Sequence, residues 1–325
     1  MKGAIIYAGS ELPKYQEIPE PVVQNDDEIL VSVKAVAIKQ LDKSIASGQH
    51  YSSEAASDTG RIPGGDGVCV LPDGTRVYGM GIHGMMAEKA IIYKDRLVKL
   101  PPALDDATAA ALPNAVIGAA MGLKFKANIK PGDVVLINGA TGVTGRVAVQ
   151  LATHYGAKKV IATGRNQRSL AELQSLGADQ TIAISGDYAQ FVTQLQDCHR
   201  ATPINIVIDY LWGPTAELIL SVLKGKHLFT NPVSYVSVGS MAGDLIQLSS
   251  AVLRSVDLQL TGSGIGSWPR EHTRRIFTEL LPEALQLAAD GKLKLETVTG
   301  NLDDIAHLWK QETPDGKRLV ILLNK

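Results

Sequence analysis

Two hydrophobic rhythms divide this chain. Over the first hundred residues, short apolar runs alternate with Gly and Pro punctuation at Lys2–Tyr7, Glu28–Val36, Thr75–Tyr78, Glu88–Ile92 and Leu97–Leu100. That spacing predicts β-strands. From Leu104 the period lengthens to that of a helix. Asp105 and Asp106 suit the positive end of one helix, and Asn114 is placed to cap a second that runs to about Lys126. Apolar β runs then follow at Val134–Asn138, Lys159–Thr163, Gln180–Ala183, Asn205–Asp209 and Tyr235–Gly239. Between them lie amphipathic stretches at Gly142–Tyr155, Ser169–Leu176, Tyr188–Ala201 and Thr215–Leu223. Such alternation predicts a parallel sheet with helices on both faces. Asp257–Thr261 adds a strand, Arg270–Asp290 a long amphipathic helix, and Glu296–Thr299 and Leu319–Leu323 return to strand character. The expected fold is α/β: a doubly wound domain of residues 113–281, inserted into a β-rich domain of residues 1–112 and 282–325.

The chemistry concentrates at Val134–Gly145, which reads V-V-L-I-N-G-A-T-G-V-T-G. A strand, a glycine turn and a helix in that order open a dinucleotide-binding unit. Gly142 lets the backbone come close to a pyrophosphate, and Gly145 lets the helix pack tightly on the strand. The free N–H groups at the helix start, around Val143 and Thr144, attract negative charge. The spacing is G-x-x-G-x-x-G, with Ala140 where the usual first glycine stands. About 20 residues further on, an NAD site carries an acid for the ribose 2′-hydroxyl. Here no Asp or Glu lies between Lys158 and Ala171; the second β run ends instead in Gly164, Arg165 and, after two more residues, Arg168. Guanidinium groups grip a 2′-phosphate in bidentate fashion, so the expected cofactor is NADP(H).

Composition narrows the class. A chain of 325 residues has room for two domains, and a net charge of −1 leaves no electrostatic footprint for nucleic acid or an anionic membrane. Cys69 and Cys198 are the only cysteines, so at most one bridge is possible and a reducing compartment fits. The N-terminus lacks a signal-peptide core, and the apolar region Ala109–Leu123 is interrupted by Pro113 and Asn114. A cytoplasmic protein is expected.

The same residues resemble the medium-chain dehydrogenase/reductase superfamily, and within it the zinc-free quinone oxidoreductase group. Gly139 to Gly145 fits that group's G-A-x-G-x-x-G loop. Lys99–Pro113 matches its entry into the nucleotide domain, Leu176-Gly177-Ala178-Asp179 its L-G-A-D, and Gly316-Lys317-Arg318-Leu319-Val320 its terminal strand. The resemblance implies a Rossmann domain within a GroES-like catalytic domain, and NADPH-dependent hydride transfer to quinones or α,β-unsaturated carbonyls. It also implies positions. Tyr210 and Leu211 pass close to the adenine, Gly239 and Ser240 to the nicotinamide ribose, and Ser263 and Gly264 to the carboxamide. The family's V-N-P-x-D falls on Ile38–Asp42, where Lys39 replaces the asparagine; a lysine there is a candidate to stabilise developing negative charge. Tyr51 is the first candidate for proton donor or substrate contact, and His50 the second. The family's threonine after Pro113 is Gly118 here.

In the zinc-dependent branch the ligands come from a cysteine, a Gly-His-Glu turn and a later cysteine or acid. Here those places hold Lys39 and Gly64-Gly65-Asp66-Gly67, the structural zinc lobe is missing, and Cys198-His199 is not spaced for chelation. No metal is expected. The polar run Ser47–Arg61 suits a lid, and Met80, Met85 and Met86 suit packing more than ligand binding. Asp257–Thr261 is an edge strand able to pair with its copy in a homodimer. Two other readings stay open: an NADPH-binding redox sensor or structural protein with little turnover, and an enoyl-thioester reductase.

Overall fold

The computed structural model describes residues 1–7, 9–48, 60–184, 186, 188–225, 230–313 and 316–323. The chain forms two compact units, one of Met1–Pro113 with Arg275–Lys325, the other of Asn114–Arg274.

In the first unit, β1 (Lys2–Ile5) pairs with β2 (Lys14–Glu17) as a small ribbon. The main sheet is built on β3 (Glu28–Ala37), which is followed by the short helix α1 (Gln40–Ala46). β3 pairs antiparallel with β4 (Asp66–Val70), then come β5 (Arg76–Gly81) and β6 (Lys89–Lys99). β6 returns to pair with the first half of β3, so these four strands close on themselves. Closure removes exposed edges. Val31, Val33, Val36, Cys69, Val77 and Ile92 fill the interior, and Met85 and Met86 are fully buried among them, as packing residues. The sequence predicts two strands where β6 is one. Asp95 and Arg96 are exposed mid-strand and interrupt the apolar pattern without interrupting the backbone pairing. Nor does its pattern reveal β4, whose D-G-V-C-V sits in a glycine-rich stretch.

Asn114 does not cap a second helix. A single helix, α2 (Asp106–Ala120), runs through Pro113. Proline costs ~3 kcal/mol in a helix interior, yet Ala109, Ala110, Ala111, Leu112, Ala115, Val116 and Ala119 are all buried along it, and that packing outweighs the missing N–H. A wider turn over Met121–Lys126 ends it, with Ala127 N–H donating to the Gly122 carbonyl at 2.8 Å.

The second unit is doubly wound. Its strands are β7 (Val134–Asn138), β8 (Lys159–Gly164), β9 (Gln180–Ala183), β10 (Ile206–Asp209), β11 (Val233–Ser237) and β12 (Leu258–Gly262). They lie in the order β12-β11-β10-β7-β8-β9, every neighbouring pair parallel. The order reverses between β7 and β10, and ligands of such sheets bind at the carboxyl ends beside that reversal. Between the strands run α3 (Val143–His154), α4 (Gln167–Gln174), α5 (Tyr188–Ala201), α6 (Gly213–Leu223) and α7 (Ser250–Ser255). Phe191, Leu195, Ile219, Leu220 and Tyr235 pack on Leu136, Ile161 and Val207 in its core.

Helical structure runs from Arg270 to Ala289 with a wider turn at Ile276–Leu280; its parts are α8 (Arg270–Arg275) and α9 (Leu281–Ala289). Ile276, Leu280, Leu281 and Leu285 are buried. β13 (Thr297–Asn301), α10 (Ile305–Lys310) and β14 (Arg318–Leu322) complete the first unit, with β14 between β13 and the end of β3.

Candidate functional site

The site grows from the end of β7. Gly139 turns the chain with φ +85°, and a Cβ there would lie 2.9 Å from Leu211. Gly142 caps α3 in an extended conformation. A Cβ on Gly145 would stand 2.5 Å from the Gly139 carbonyl oxygen and 2.6 Å from Ala140 Cα, so only hydrogen fits where the helix crosses its own loop. Gly142 is the opposite case: an added Cβ meets nothing nearer than 3.9 Å. The approach to the α3 N-terminus is therefore open, and the first-turn N–H groups, Val143 and Thr144 among them, have no carbonyl within the helix to serve. An anion fits that place. Serine at Gly142 is expected to keep or slightly raise the melting temperature, because it is a good cap. It is expected to weaken dinucleotide binding on the order of tenfold by filling the approach. Unchanged binding beside unchanged melting would remove Gly142 from the site.

Beneath the loop lies a buried polar network. Asn138 Nδ2 donates to Asp209 Oδ1 at 2.7 Å and to Thr215 Oγ1 at 3.0 Å, while Thr163 Oγ1 donates to Asn138 Oδ1 at 2.8 Å. Asp209 also accepts from Leu211 N at 2.8 Å, Trp212 N at 3.1 Å and the Tyr235 hydroxyl at 2.6 Å. Burial, with the Asp209 carboxylate beside it, holds the Tyr235 hydroxyl far above its usual range, so it stays a donor. These bonds tie the carboxyl ends of β7, β8, β10 and β11 together at the topological reversal. They also hold Trp212 at φ +58°, a conformation that is uncommon without glycine. No sequence pattern announces this network, because its members are spread from Asn138 to Tyr235.

The residues expected to touch a cofactor group at these strand ends. Gly164 closes β8, where a Cβ would come within 2.4 Å of the Thr141 methyl. Arg165 and Arg168 follow, both exposed. Tyr210 is buried, its hydroxyl without a hydrogen-bond partner among the described residues, and Leu211 packs over Gly139. Gly239 lies against the Tyr210 carbonyl, 2.9 Å from where its Cβ would be, and Ser240 is exposed beside it. Ser263 is buried and accepts from Trp268 Nε1 at 3.1 Å; Gly264 N–H donates to Ser267 Oγ at 3.0 Å. An added Cβ on Gly118 would lie 3.1 Å from the Thr144 methyl, so this chain has little room there for the family's threonine.

In the first unit, His50, Tyr51 and most of the Ser47–Arg61 run lie outside the described residues. Lys39 is described, and it is neither solvated nor free. Its ammonium is buried, bonded to Asp66 Oδ1 and 3.5 Å from Asp42 Oδ2. Asp42 in turn accepts from the Lys39 backbone N–H at 2.9 Å, and the Tyr78 hydroxyl donates to Asp66 Oδ2 at 2.7 Å. Arg318, also buried, lies in the field of both carboxylates. Burial pulls the Lys39 ammonium down, but Asp42 and Asp66 outweigh it and hold the group above its ordinary value. Burial pushes Asp42 up against the pull of Lys39.

A family model described as "Zinc-binding dehydrogenase" matches residues 143–283. The chain is 27% identical to the "Probable NADPH-dependent quinone reductase tdiC" of Emericella nidulans, across 96% of this chain and 97% of that one. It is 35% identical to the "2-methylene-furan-3-one reductase" of Solanum lycopersicum, across 48% of this chain and 45% of the relative. The quinone oxidoreductase of Thermus thermophilus, solved alone and with NADPH, superposes with a TM-score of 0.81 at 23% identity, covering 99% of this chain and all of that one. These likenesses support the medium-chain dehydrogenase/reductase superfamily and, within it, the quinone oxidoreductase-like group.

The zinc in the matched family's description does not fit these residues. Among the described residues no group of three or more His, Cys, Asp or Glu side chains could hold a metal ion. Asp66 is already shared by the Lys39 ammonium and the Tyr78 hydroxyl, and a dication beside two buried cations is repelled. Burial raises the Cys69 thiol to about 12, far from the thiolate a metal requires.

Proposed function

We propose that this protein is an NADPH-dependent oxidoreductase that delivers hydride to quinones or α,β-unsaturated carbonyl compounds without a metal. The observation that carries the reading is the glycine loop with an open approach at Gly142, followed at the end of β8 by two exposed arginines and no acid. The α3 N-terminus would take the pyrophosphate, Arg165 and Arg168 the 2′-phosphate, and Gly239, Ser240, Ser263 and Gly264 the nicotinamide half. Bound there, the cofactor supplies the hydride, while the protein fixes geometry and excludes competing reactions. On this reading Lys39 and Asp66, bonded to each other, are not metal ligands, and no Lewis acid is called on to polarise an unactivated carbonyl. The acceptor is therefore one that is already electron-poor. The names of the relatives, a quinone reductase and an enone reductase, support this class.

Lys39 acts through Asp42 and Asp66, as a positioning residue for the start of α1 and the start of β4. Tyr51, then His50, remain the proposed proton donors. Among the described residues no helix is long and apolar enough to cross a membrane, in keeping with a cytoplasmic enzyme. A homodimer would form by pairing β12, whose other edge is free of any strand of its own sheet.

The test is NADPH consumption, with a chelator present, on benzoquinones, naphthoquinones, enones and enoyl thioesters, with NADH in parallel. Turnover of quinones or enones with NADPH preferred is the expected result, from a preparation that light scattering shows as a dimer. Turnover confined to enoyl thioesters would select that narrower reductase. Tight NADPH binding with no turnover would replace the enzyme reading with a sensor.

A further inference from the structure

Two arginines on different helices share one carboxylate. Glu172, on α4, accepts from Arg146 Nη2 at 2.7 Å and lies 3.8 Å from Arg168 Nε. The two contacts are unequal. Arg146 stands in the first turns of α3, is only 8% exposed, and also donates from Nε to the Thr141 carbonyl at 3.2 Å. The Arg168 side chain is 92% exposed and only loosely engaged. Thr141 belongs to the glycine loop, and its methyl packs on Gly164. The loop, the end of β8 and the start of α4 thus meet around Glu172.

We infer that the Arg146–Glu172 pair sets the cofactor preference; this rests on the NADPH reading above. A 2′-phosphate brings close to two negative charges to Arg165 and Arg168, and a bare carboxylate next to Arg168 repels it. Arg146 neutralises that carboxylate. Because its guanidinium is held by both Thr141 and Glu172, it stays on the carboxylate when a phosphate arrives, while loosely held Arg168 turns to the phosphate. An NADH ribose carries no such charge and is indifferent to the pair.

The test measures NADPH and NADH dissociation constants, by titration calorimetry, for the wild type, Arg146→Gln, Glu172→Gln and the double variant. Arg146→Gln is expected to weaken NADPH on the order of tenfold, equivalent to a coupling of ~1.4 kcal/mol, and NADH by no more than about twofold. Glu172→Gln alone is expected to strengthen the preference for NADPH, and the double variant to return close to the wild-type ratio. Parallel losses for both cofactors, not restored by Glu172→Gln, would overturn the inference and leave Arg146 as a support for the loop. Should Arg146→Gln fail to fold, Glu172→Gln decides alone: an NADPH preference unchanged or reduced overturns it. A wild type with no preference for NADPH removes both this inference and the reading beneath it; a wild type that prefers NADPH beside variants that leave the ratio unmoved removes the inference only.

Discussion

Lys39→Met is expected to destabilise the protein by about 3–5 kcal/mol, the cost of breaking a buried ion pair by removing one partner. Methionine fills similar space, so the loss comes from charge. Asp66 and Asp42 would remain buried, with Arg318 as their nearby cation and the Tyr78 hydroxyl as the donor to Asp66. The pH dependence follows from the direction of the shifts. Burial already raises Asp42 in the wild type, and without the pull of Lys39 it rises further. An acid whose folded pKa lies above its unfolded value binds more protons when folded, so stability falls as pH rises through that window. The defect of Lys39→Met is therefore full at neutral pH and shrinks as the pH drops toward the ordinary aspartate range. Adding Asp66→Asn is expected to recover a large part of it. Urea midpoints measured from pH 5 to 8 provide the check. A variant as stable as the wild type at pH 8, with the same slope, would show that the pair does not carry this weight.

Replacing Arg165 and Arg168 together with alanine is expected to weaken NADPH binding about 100-fold and NADH binding by no more than a few-fold. A hydrogen bond to a charged group contributes ~1.5–3 kcal/mol, and the lower end applies because both side chains are exposed. Removing two such bonds weakens binding by a factor of about 100. Dissociation constants for both cofactors read the effect directly. Equal losses would mean that the arginines recognise something other than the 2′-phosphate.

Both predictions depend on features that differ in how far the sequence displays them. The arginines stand within a few residues of a strand end whose apolar run, K-V-I-A-T, is easily read, so their neighbourhood follows from the linear order. Gly142 and Gly145 are similarly exposed to reading, since a strand, a loop and a helix that are adjacent in sequence are adjacent in space. The α5 helix at Tyr188–Ala201 and β9 at Gln180–Ala183 fall where periodicity puts them. The Lys39 cluster is illegible for the opposite reason. Its members are at 39, 42, 66, 78 and 318, and a lysine after an apolar strand reads as an exit to solvent. What buries it is the pairing of β3 with β14 and β4, which no local pattern announces. α1 and α10 are too short for a helical period to accumulate. The α4 start is misplaced by two residues because its cap is Asn166, accepting from Ser169 N–H at 3.1 Å, rather than a residue nearer the apolar run. Pro113 shows the converse error, in which a local rule is overridden by burial of an alanine-rich helix. The Arg146–Glu172 contact is hidden as well, since it joins α3 to α4 across β8.

The pairing of β14 with β3 also bears on synthesis. Val320 lies opposite Ala37, and Leu322 opposite Ala35, so the sheet begun before Asn114–Arg274 is completed by residues made after it. The ribosome releases Asn114–Arg274 in one uninterrupted run, and domains generally fold as units during synthesis. The nucleotide unit is therefore complete while its host still waits with one side of β3 uncovered and Lys39 without Arg318 nearby. For those seconds the nascent chain displays an unpaired strand, and a stalled or prematurely stopped message would yield a product with one finished unit and one sticky edge, a natural substrate for chaperones and proteases.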